Sequence, residues 1–441
     1  MRRPTSALVL VVVSSILAAC GGEGRTRNPG ARVVAVNAAS SYPPITFLRE
    51  NDTRNLATID FGSAQQFVYE ADQYDFNLEV LPPLAFTRLR LRSFSVTLQP
   101  GDEHYFVVTD AGGLLDALIV TQAPFSPAST NVEVSFVHAA PASPSMDIYL
   151  TAPGAVLSAA NPIGTTAFAQ HLAPSTLTPG DYVLSLTETG NPLNVLFTSQ
   201  TLTLIAGQSN FFAIADAGVD TAEIIVERVA NASMVLVDVN SPTSLRMINA
   251  ATDTQPRDAF LDDDFSTPYF AAVPYAVPTA RAPIAPGDRK ISVTPAGNPG
   301  VIEVEAINAA FPGNSHTGMI TGAPGALLLT TFVENRRRIL GEAHLRYYDA
   351  AAQFTSLAIS IARPGGPPLT VLPVFLTTGG SQEEFPLPPG DYEITVYPDS
   401  STTPALGPLP ITVAAEGIYS MLFLNGPTAE TAAVVLFDDF P

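Results

Sequence analysis

The chain has 441 residues, of which 46% are hydrophobic, and its 41 acidic side chains against 21 basic ones give a net charge of −20. Such an acidic surface repels phosphates and anionic headgroups, which argues against nucleic acid as a partner and against electrostatic binding to membranes. Its one cysteine, Cys20, excludes an intramolecular disulfide, and the apolar content with 40 prolines and 30 glycines indicates a turn-rich globular chain.

Residues 1–19 are predicted to be a signal peptide. Arg2 and Arg3 precede a short apolar run that is too short to span a bilayer. The following Leu17-Ala18-Ala19-Cys20 resembles the lipobox of bacterial lipoproteins, in which the cysteine is acylated and becomes the mature N-terminus. The resemblance implies lipid attachment at Cys20, a lipidated linker over 20–30 and a place in the bacterial cell envelope. Gly21 in place of Asp, by similarity to Gram-negative sorting, favours the outer membrane.

Three landmarks recur about every 100 residues after the linker, a spacing typical of one small domain. The first is a short strand that ends in a polar residue and two alanines, and the second is a turn before an alternating stretch, usually Pro-Gly-Asp. The third is a glycine before an apolar run. In chain order they are Asn37, His138, Asn249 and Asp349; Asp72, Asp181, Asp288 and Asp391; and Gly101, Gly207, Gly313 and Gly417. They predict four repeats, over 31–128, 129–240, 241–340 and 341–441.

Short apolar and β-branched runs separated by Pro, Gly, Asn and Asp predict an all-β fold of four tandem immunoglobulin-like β-sandwiches with roughly seven strands each. The chain has no Trp and no cysteine pair, so a true immunoglobulin domain is not supported. We expect a fragment from Ser129 to Asn240 to fold alone, because about 100 residues can fold without disulfides.

Repeat 2 opens with the stretch Val137-His-Ala-Ala-Pro-Ala-Ser-Pro-Ser-Met-Asp147-Ile-Tyr149. It is similar to the V-H-A-S-P-D-A-P-x-V-D-V-Y stretch that opens a bacterial domain family of unknown function, which is found in secreted proteins and lipoproteins, often in tandem. Repeat 3 keeps Asp258-Ala-Phe260 at the same offset. The resemblance implies a fold and a compartment, and it adds no catalytic residue.

The polar candidates each have a functional and a structural interpretation. His138 and Asp147 could share a proton or a metal ion if they faced each other, but other repeats place Asn or Asp at the His138 position, which favours a structural pair. His104 and His316 occupy equivalent positions, with Asn210 and Ser420 in the other repeats, and this predicts loop-to-backbone hydrogen bonds. Tyr182 and Tyr392 could stack on sugars or cap the core. Three acidic segments could donate oxygens to calcium, although solvated loops are favoured: Asp262–Asp264, Asp438–Asp439 and Asp238.

No zinc, phosphate-loop, dinucleotide or nucleophile-elbow motif is present, so we expect no catalytic, cofactor-binding or metal-binding residue. The predicted function is a non-enzymatic, envelope-anchored scaffold, adhesion or binding lipoprotein, whose partners are the membrane, through the lipid, and an envelope protein or glycan. One alternative is a glycan-binding surface lectin. Another is a secreted hydrolase with an unrecognised site, which would need a cleft built by a non-repeated insertion; the notable insertion is near 230–240.

Overall fold

The structure, a computed structural model, describes residues 30–439 except 53–55, 220–221, 352, 355, 376–381, 399–400 and 429–430. The described residues form 33 strands and one short 3-10 helix. The predicted all-β class is therefore confirmed, and the strands form four β-sandwiches in tandem. Among the described residues, no helix has the length and hydropathy needed to cross a bilayer.

The strands divide into four groups, one for each repeat. Repeat 1 contains β1 (Ala31–Asn37), β2 (Ile45–Arg49), β3 (Leu56–Ile59), β4 (Ser63–Tyr69), β5 (Gln73–Val80), β6 (Leu89–Thr97), β7 (Glu103–Ala111) and β8 (Leu114–Gln122). Repeat 2 contains β9 (Val132–His138), β10 (Met146–Thr151), the 3-10 helix (Leu157–Ala159), β11 (Gly164–Thr166), β12 (His171–Leu177), β13 (Gly180–Glu188), β14 (Asn191–Leu204), β15 (Ser209–Val219), β16 (Ala222–Val229) and β17 (Ser233–Val237).

Repeat 3 contains β18 (Thr243–Asn249), β19 (Arg257–Leu261), β20 (Phe270–Val273), β21 (Ala282–Ile284), β22 (Gly287–Pro295), β23 (Val304–Ala310), β24 (Ser315–Ala323) and β25 (Ala326–Glu334). Repeat 4 contains β26 (Ala343–Asp349), β27 (Ser356–Ala362), β28 (Pro368–Phe375), β29 (Gln382–Leu387), β30 (Gly390–Pro398), β31 (Leu406–Val413), β32 (Ile418–Asn425) and β33 (Ala432–Asp438).

Each repeat has two sheets with the same strand order. In repeat 1 these are β4-β1-β7-β8, which we call the pairing sheet, and β3-β2-β5-β6, which we call the outer sheet. The first strand of each repeat runs parallel to its neighbour in the pairing sheet, as β1 does to β7, while the other pairings are antiparallel. Among the described residues, repeats 1, 3 and 4 therefore have eight strands and repeat 2 has nine, rather than the roughly seven predicted.

The first strand is buried on both of its faces. Alternate side chains point to opposite faces of a strand, so Val33 and Ala35 pack in the core of repeat 1, whereas Val34 and Val36 belong to a second apolar cluster. This second cluster joins the pairing sheets of repeats 1 and 2. It contains Tyr105 of repeat 1 stacked on Phe211 of repeat 2, with ring centroids 3.9 Å apart. The two sandwiches are therefore fused face to face.

Repeats 3 and 4 form a second pair in the same way. Their shared cluster contains Ile248 and Met319 of repeat 3, and Tyr348 and Leu422 of repeat 4. The connection over 335–340, which we call the strap, touches repeat 1: the N–H of Leu340 donates to the Ser41 carbonyl at 2.7 Å. The Arg337 guanidinium donates to the Tyr42 carbonyl at 3.1 Å and lies over the ring of Phe61.

Two segments of repeat 2 have no counterpart of the same length in the other repeats. The insertion noted near 230–240 forms β17, which extends the pairing sheet beside β16. The connection between β10 and β11 spans 152–163 and carries the 3-10 helix, whereas the corresponding connections in repeats 1, 3 and 4 are shorter. We call this segment the 152–163 loop.

The pairing of repeats changes what a single-repeat fragment should do. The fragment Ser129–Asn240 keeps the core of repeat 2 but uncovers the apolar face around Phe211. We expect it to fold and to self-associate, whereas the fragment 30–240 remains monomeric, because a large exposed apolar patch drives association. Size-exclusion chromatography with light scattering measures the difference. Phe211→Ser in the shorter fragment should weaken the association, and a monomeric wild-type fragment at the same concentration would contradict the expectation.

Candidate functional site

The polar residue of the first landmark ends the first strand of every repeat in the same way. Its side chain accepts a hydrogen bond from the N–H two residues later: at 3.1 Å for Asn37, 3.2 Å for Asn249, 2.9 Å for Asp349 and 3.3 Å for Nδ1 of His138. Side chains of Asn and Asp commonly close turns by this contact. The landmark is therefore a strand cap, and a histidine serves in repeat 2 because its ring nitrogen also accepts a hydrogen bond.

His138 and Asp147 do not hydrogen-bond to each other. The Nε2–H of His138 donates to the Pro144 carbonyl at 3.0 Å, and burial lowers the pKa of this histidine, which favours the neutral ring. The Asp147 carboxylate accepts from the Thr165 hydroxyl at 2.5 Å and from the Gly190 N–H at 2.8 Å. Each residue thus holds a different loop, and neither is left free as a catalytic base.

The Asp147 contact explains a coincidence in the sequence. Repeats 2 and 3 both contain a Gly-Asn-Pro loop at the same distance from their Pro-Gly-Asp turn. In repeat 3, Asp258 accepts from the Gly297 N–H at 2.8 Å, as Asp147 does from Gly190. The aspartate and the glycine loop are therefore two parts of one structural contact.

The prediction of loop-to-backbone hydrogen bonds for His104 and His316 is wrong. Both residues lie within strands, β7 and β24, and are buried. Nδ1 of His104 lies 3.0 Å from the Thr121 hydroxyl, while neither ring nitrogen of His316 has a partner among the described residues. Burial lowers the pKa of both, and the nearby Arg281 charge lowers that of His316 further, so both rings are neutral.

The third landmark shifts by one residue in repeat 4. Gly101, Gly207 and Gly313 all have a positive φ, and in repeat 4 the residue with that conformation is Glu416, with φ of 61°. The strand pairing shifts with it, so Tyr419 rather than Ser420 is equivalent to His104. The Ser420 hydroxyl instead donates to Asp439 at 3.3 Å.

The Pro-Gly-Asp turns start the third strand of the outer sheet, as the turn chemistry predicts. Asp181 and Asp391 accept from threonine hydroxyls across the sheet, at 2.7 and 2.6 Å. Tyr182 and Tyr392 donate from their hydroxyls to the carbonyl four residues earlier, at 2.8 and 2.5 Å. These tyrosines fix the corner before the strand, an arrangement known from other sandwich folds.

The acidic segments contact cationic side chains or backbone N–H groups of the protein itself. Asp262 contacts Arg289, and Asp263 lies 2.8 Å from Lys290. Asp238 accepts backbone N–H groups, including that of Thr198 at 3.0 Å. In the part of the chain that the structure describes, no group of three or more His, Cys, Asp or Glu residues is arranged to hold a metal ion.

A dense charged cluster lies between repeats 3 and 4, and sequence reasoning missed it. Arg246 of repeat 3 donates to Asp439 at 2.6 Å and to Glu334 at 2.8 Å. Arg346 of repeat 4 donates to Asp439 at 2.8 Å, and Arg281 contacts Glu334. The four side chains of Arg246, Arg346, Glu334 and Asp439 are almost fully buried. The signal in the sequence was the arginine three residues before the landmark in repeats 3 and 4, where repeats 1 and 2 have Val and Ser.

The carboxylates near the same cluster raise the pKa of a histidine, His344. Burial lowers the pKa of His344, but hydrogen bonds to Glu342 and Glu384 outweigh burial and raise the pKa to about 9. Nδ1 of His344 lies 2.5 Å from Glu384, which Arg346 also contacts at 3.1 Å. His344 is thus a permanent cation near neutral pH, and its role is to complete the ionic cluster.

The interface between repeats 1 and 2 contains one uncompensated acid, Glu227 on β16. Its residue is 1% exposed, and among the described residues neither carboxylate oxygen has a hydrogen-bond partner. Burial raises its pKa to about 8. Glu227 pairs with Ala213, and Val107, which is the equivalent of Ala213 in repeat 1, pairs with Leu118. Leu118 is therefore the residue of repeat 1 that is equivalent to Glu227. Glu227 therefore lies protonated at a site that suits an aliphatic side chain.

Several cavities among the described residues are large enough for a ligand. One of about 940 Å³ lies where repeats 1 and 2 meet the strap, but its carboxylates Asp110 and Asp216 already accept hydrogen bonds from Ser41, Ala142 and Ser143. Another, of about 430 Å³, lies on the outer sheet of repeat 2 beneath the 152–163 loop. The proposed lipid-attachment residue, Cys20, lies outside the described residues.

Fold and polar contacts together define a protein of four β-sandwiches joined as two face-to-face pairs, in which the repeated polar residues serve the fold. No protein-family model matches the sequence, and no curated protein matches it. Among solved structures, the chain is similar to the Bacillus anthracis TIE protein, with 8% identity, coverage of 87% of this chain and 68% of the other, and a TM-score of 0.16. It is also similar to a proposed cell adhesion protein from Bacteroides eggerthii, with 11% identity, coverage of 70% and 96%, and a TM-score of 0.13.

The separate partners of His138 and Asp147 predict additive effects of mutation. We expect His138→Asn with Asp147→Asn to lower the free energy of unfolding by about 1–3 kcal/mol in total, because each change disturbs a buried hydrogen bond. The coupling in a double-mutant cycle should stay below about 0.5 kcal/mol. Chemical denaturation of the wild type, the two single variants and the double variant measures this coupling. A clearly larger value would show that the two side chains act together.

Glu227 predicts a pH-dependent loss of stability. The unfolded carboxyl ionises near its ordinary pKa of 4.5, whereas the folded one keeps its proton up to about 8, so the free energy of unfolding should fall between these pH values. Glu227→Leu should make this fall clearly smaller, the remainder coming from other buried carboxyls such as Asp349, and should stabilise the protein at pH 8 by about 1–3 kcal/mol. Denaturation from pH 5 to 9 checks it. Glu223→Gln, an exposed change on the same strand, is the control, and an unchanged pH dependence in Glu227→Leu would refute the assignment.

Proposed function

We propose that the protein is a non-catalytic scaffold, adhesion or binding lipoprotein of the bacterial cell envelope, anchored by lipid on Cys20. The observation that carries the non-catalytic part is that the repeated polar residues are occupied by strand caps, turns and loop contacts. His138, Asp147, Asp181 and Asp391 each contact backbone or cross-strand groups of their own repeat. A catalytic base needs a free acceptor beside a reacting group.

The arrangement of the repeats supports a scaffold role. Fusion of the sandwiches through two buried interfaces, with the strap bound to repeat 1, gives a surface whose parts are held in fixed relative positions. A protein that presents binding surfaces gains from such rigidity, because less conformational entropy is lost when a partner binds.

The sequence supports the anchor. The small residues before Cys20 and the glycine after it match the lipobox pattern, and an acidic chain has no basic patch that would hold it on an anionic membrane. Attachment then depends on the acyl chains, of which two or more are needed for stable binding. Gly21 in place of Asp makes the outer membrane the proposed location.

Fractionation of cells tests the anchor. Cys20→Ala should release the protein from the membrane fraction or leave it unprocessed, because the acyl acceptor is lost, whereas Gly22→Ala should behave as wild type. Immunoblots of membrane and soluble fractions, together with incorporation of a labelled fatty acid, measure the outcome. A Cys20→Ala protein that sediments with membranes as tightly as wild type would rule out the lipid anchor.

The non-catalytic assignment has a separate test. Purified protein should leave a panel of glycans, esters and peptides unchanged. Turnover that disappears in His138→Asn with Asp147→Asn, at an unchanged melting temperature, would instead establish a hydrolase.

A further inference from the structure

The cavity on the outer sheet of repeat 2 is built by elements that are particular to this repeat. It lies among β10, β13 and β14, and the 152–163 loop forms one wall. The corresponding loops of the other repeats are shorter by several residues. Its volume of about 430 Å³ falls in the range of small-molecule sites.

The lining of the cavity is polar and uncharged. Its walls also include the apolar side chains of Leu157 and Val183. The polar side chains that line it are Thr151, Ser185, Thr198, Ser199, Gln200 and Thr201. Hydroxyl and amide groups both donate and accept hydrogen bonds, so they match a ligand that does the same. An ionic ligand would lose its hydration in this cavity without gaining a counter-charge.

Ser185 provides an independent sign of a ligand. It is 3% exposed, and no described side chain or backbone group hydrogen-bonds to its hydroxyl. The equivalent residues of repeats 1 and 3 are hydrogen-bonded across the sheet: Asn77 accepts from Ser93 at 2.7 Å, and Ser292 donates to Glu305 at 3.1 Å. Ser185 thus keeps an open hydroxyl inside the cavity, whereas its counterparts in repeats 1 and 3 each make a hydrogen bond across the sheet.

An irregularity of β14 causes this difference. Val183 pairs with Thr201 but Ser185 pairs with Thr198, so β14 carries an extra residue at this point. Ser199 fills the gap, since its hydroxyl accepts from the Leu184 N–H at 3.0 Å and donates to the Gln200 carbonyl at 2.6 Å. Bulges of this kind redirect side chains and are frequent beside binding sites.

We propose that this cavity binds a neutral carbohydrate, whose hydroxyls pair with the Ser, Thr and Gln side chains and whose C–H face packs on Leu157 and Val183. The inference rests on the proposed binding function and gives it a ligand class. The loop that walls the site is longest in repeat 2, as is expected of a recognition site placed on a repeated scaffold.

Calorimetric titration of the full chain, purified in detergent, tests the site. The probes are maltotriose, cellotriose, mannotriose and triacetylchitotriose, with trigalacturonate as the charged comparator. At least one neutral trisaccharide should bind, and trigalacturonate should not. Ser185→Ala should weaken binding about tenfold, the loss expected for one well-placed hydrogen bond. Thr201→Glu, on the exposed rim, should abolish binding because it puts a charge in the cavity.

Ser292→Ala in repeat 3 is the matched control and should bind as wild type. The proposal is overturned if none of the neutral probes binds, or if binding survives Thr201→Glu unchanged. Thr201→Glu keeps the test decisive should Ser185→Ala fail to fold. Chromatography of the probes after incubation separates the two proposals, because a cleaved trisaccharide would support the site and contradict the non-catalytic function.

Discussion

The first strand of every repeat, together with its parallel neighbour, is covered on both faces, and most of the structure follows from this constraint. One face belongs to the repeat's own core and the other to the interface with the paired repeat. A polar side chain on such a strand has no access to water, so it must find a partner inside the protein or accept a cost in stability. The capping role of Asn37 and its equivalents is the first kind of solution, and His316 on β24, whose ring nitrogens have no hydrogen-bond partner among the described residues, is an instance of the second.

The two interfaces meet the constraint with different chemistry. Between repeats 1 and 2, the side chains are mainly Val, Ala and the Tyr105–Phe211 stack. Between repeats 3 and 4, Arg246 and Arg346 occupy positions equivalent to Val34 and Ser135, and Glu334 and Asp439 neutralise them. An exchange of partners would place a buried guanidinium against an apolar sheet, which costs several kcal/mol. The chemistry of the interfaces thus discriminates between correct and incorrect pairing of four similar domains.

The sequence was sufficient for the strands and insufficient for their assembly. Short apolar runs between Pro, Gly and Asp predicted an all-β chain, and the Pro-Gly-Asp turns lie where they were expected, because turn residues act locally. The strand Ala31–Asn37 has apolar residues on both faces, which is the pattern of double burial, but the pattern does not identify the partner. The contact between Asp147 and Gly190 and the cluster around Glu334 join residues far apart in the chain, so no local rule finds them. The sequence also did not show that Glu416, rather than Gly417, is the residue of repeat 4 equivalent to Gly101. Gly417 matches the other glycines by residue type, whereas Glu416 matches them by its positive φ.

The position of β1 also determines how the protein would bear load. β1 begins directly after Gly30 and is a central strand of its sheet, with seven residue pairs to β4 and six to β7. A pull on the chain at Gly30 acts along this strand, so its hydrogen bonds to both neighbours are sheared together instead of being opened one after another. Resistance to such a force is set by the rate of unfolding rather than by the equilibrium stability. A domain tethered by its first residues and loaded by its surroundings would keep its fold longest when the first strand lies at the centre of the sheet, as β1 does.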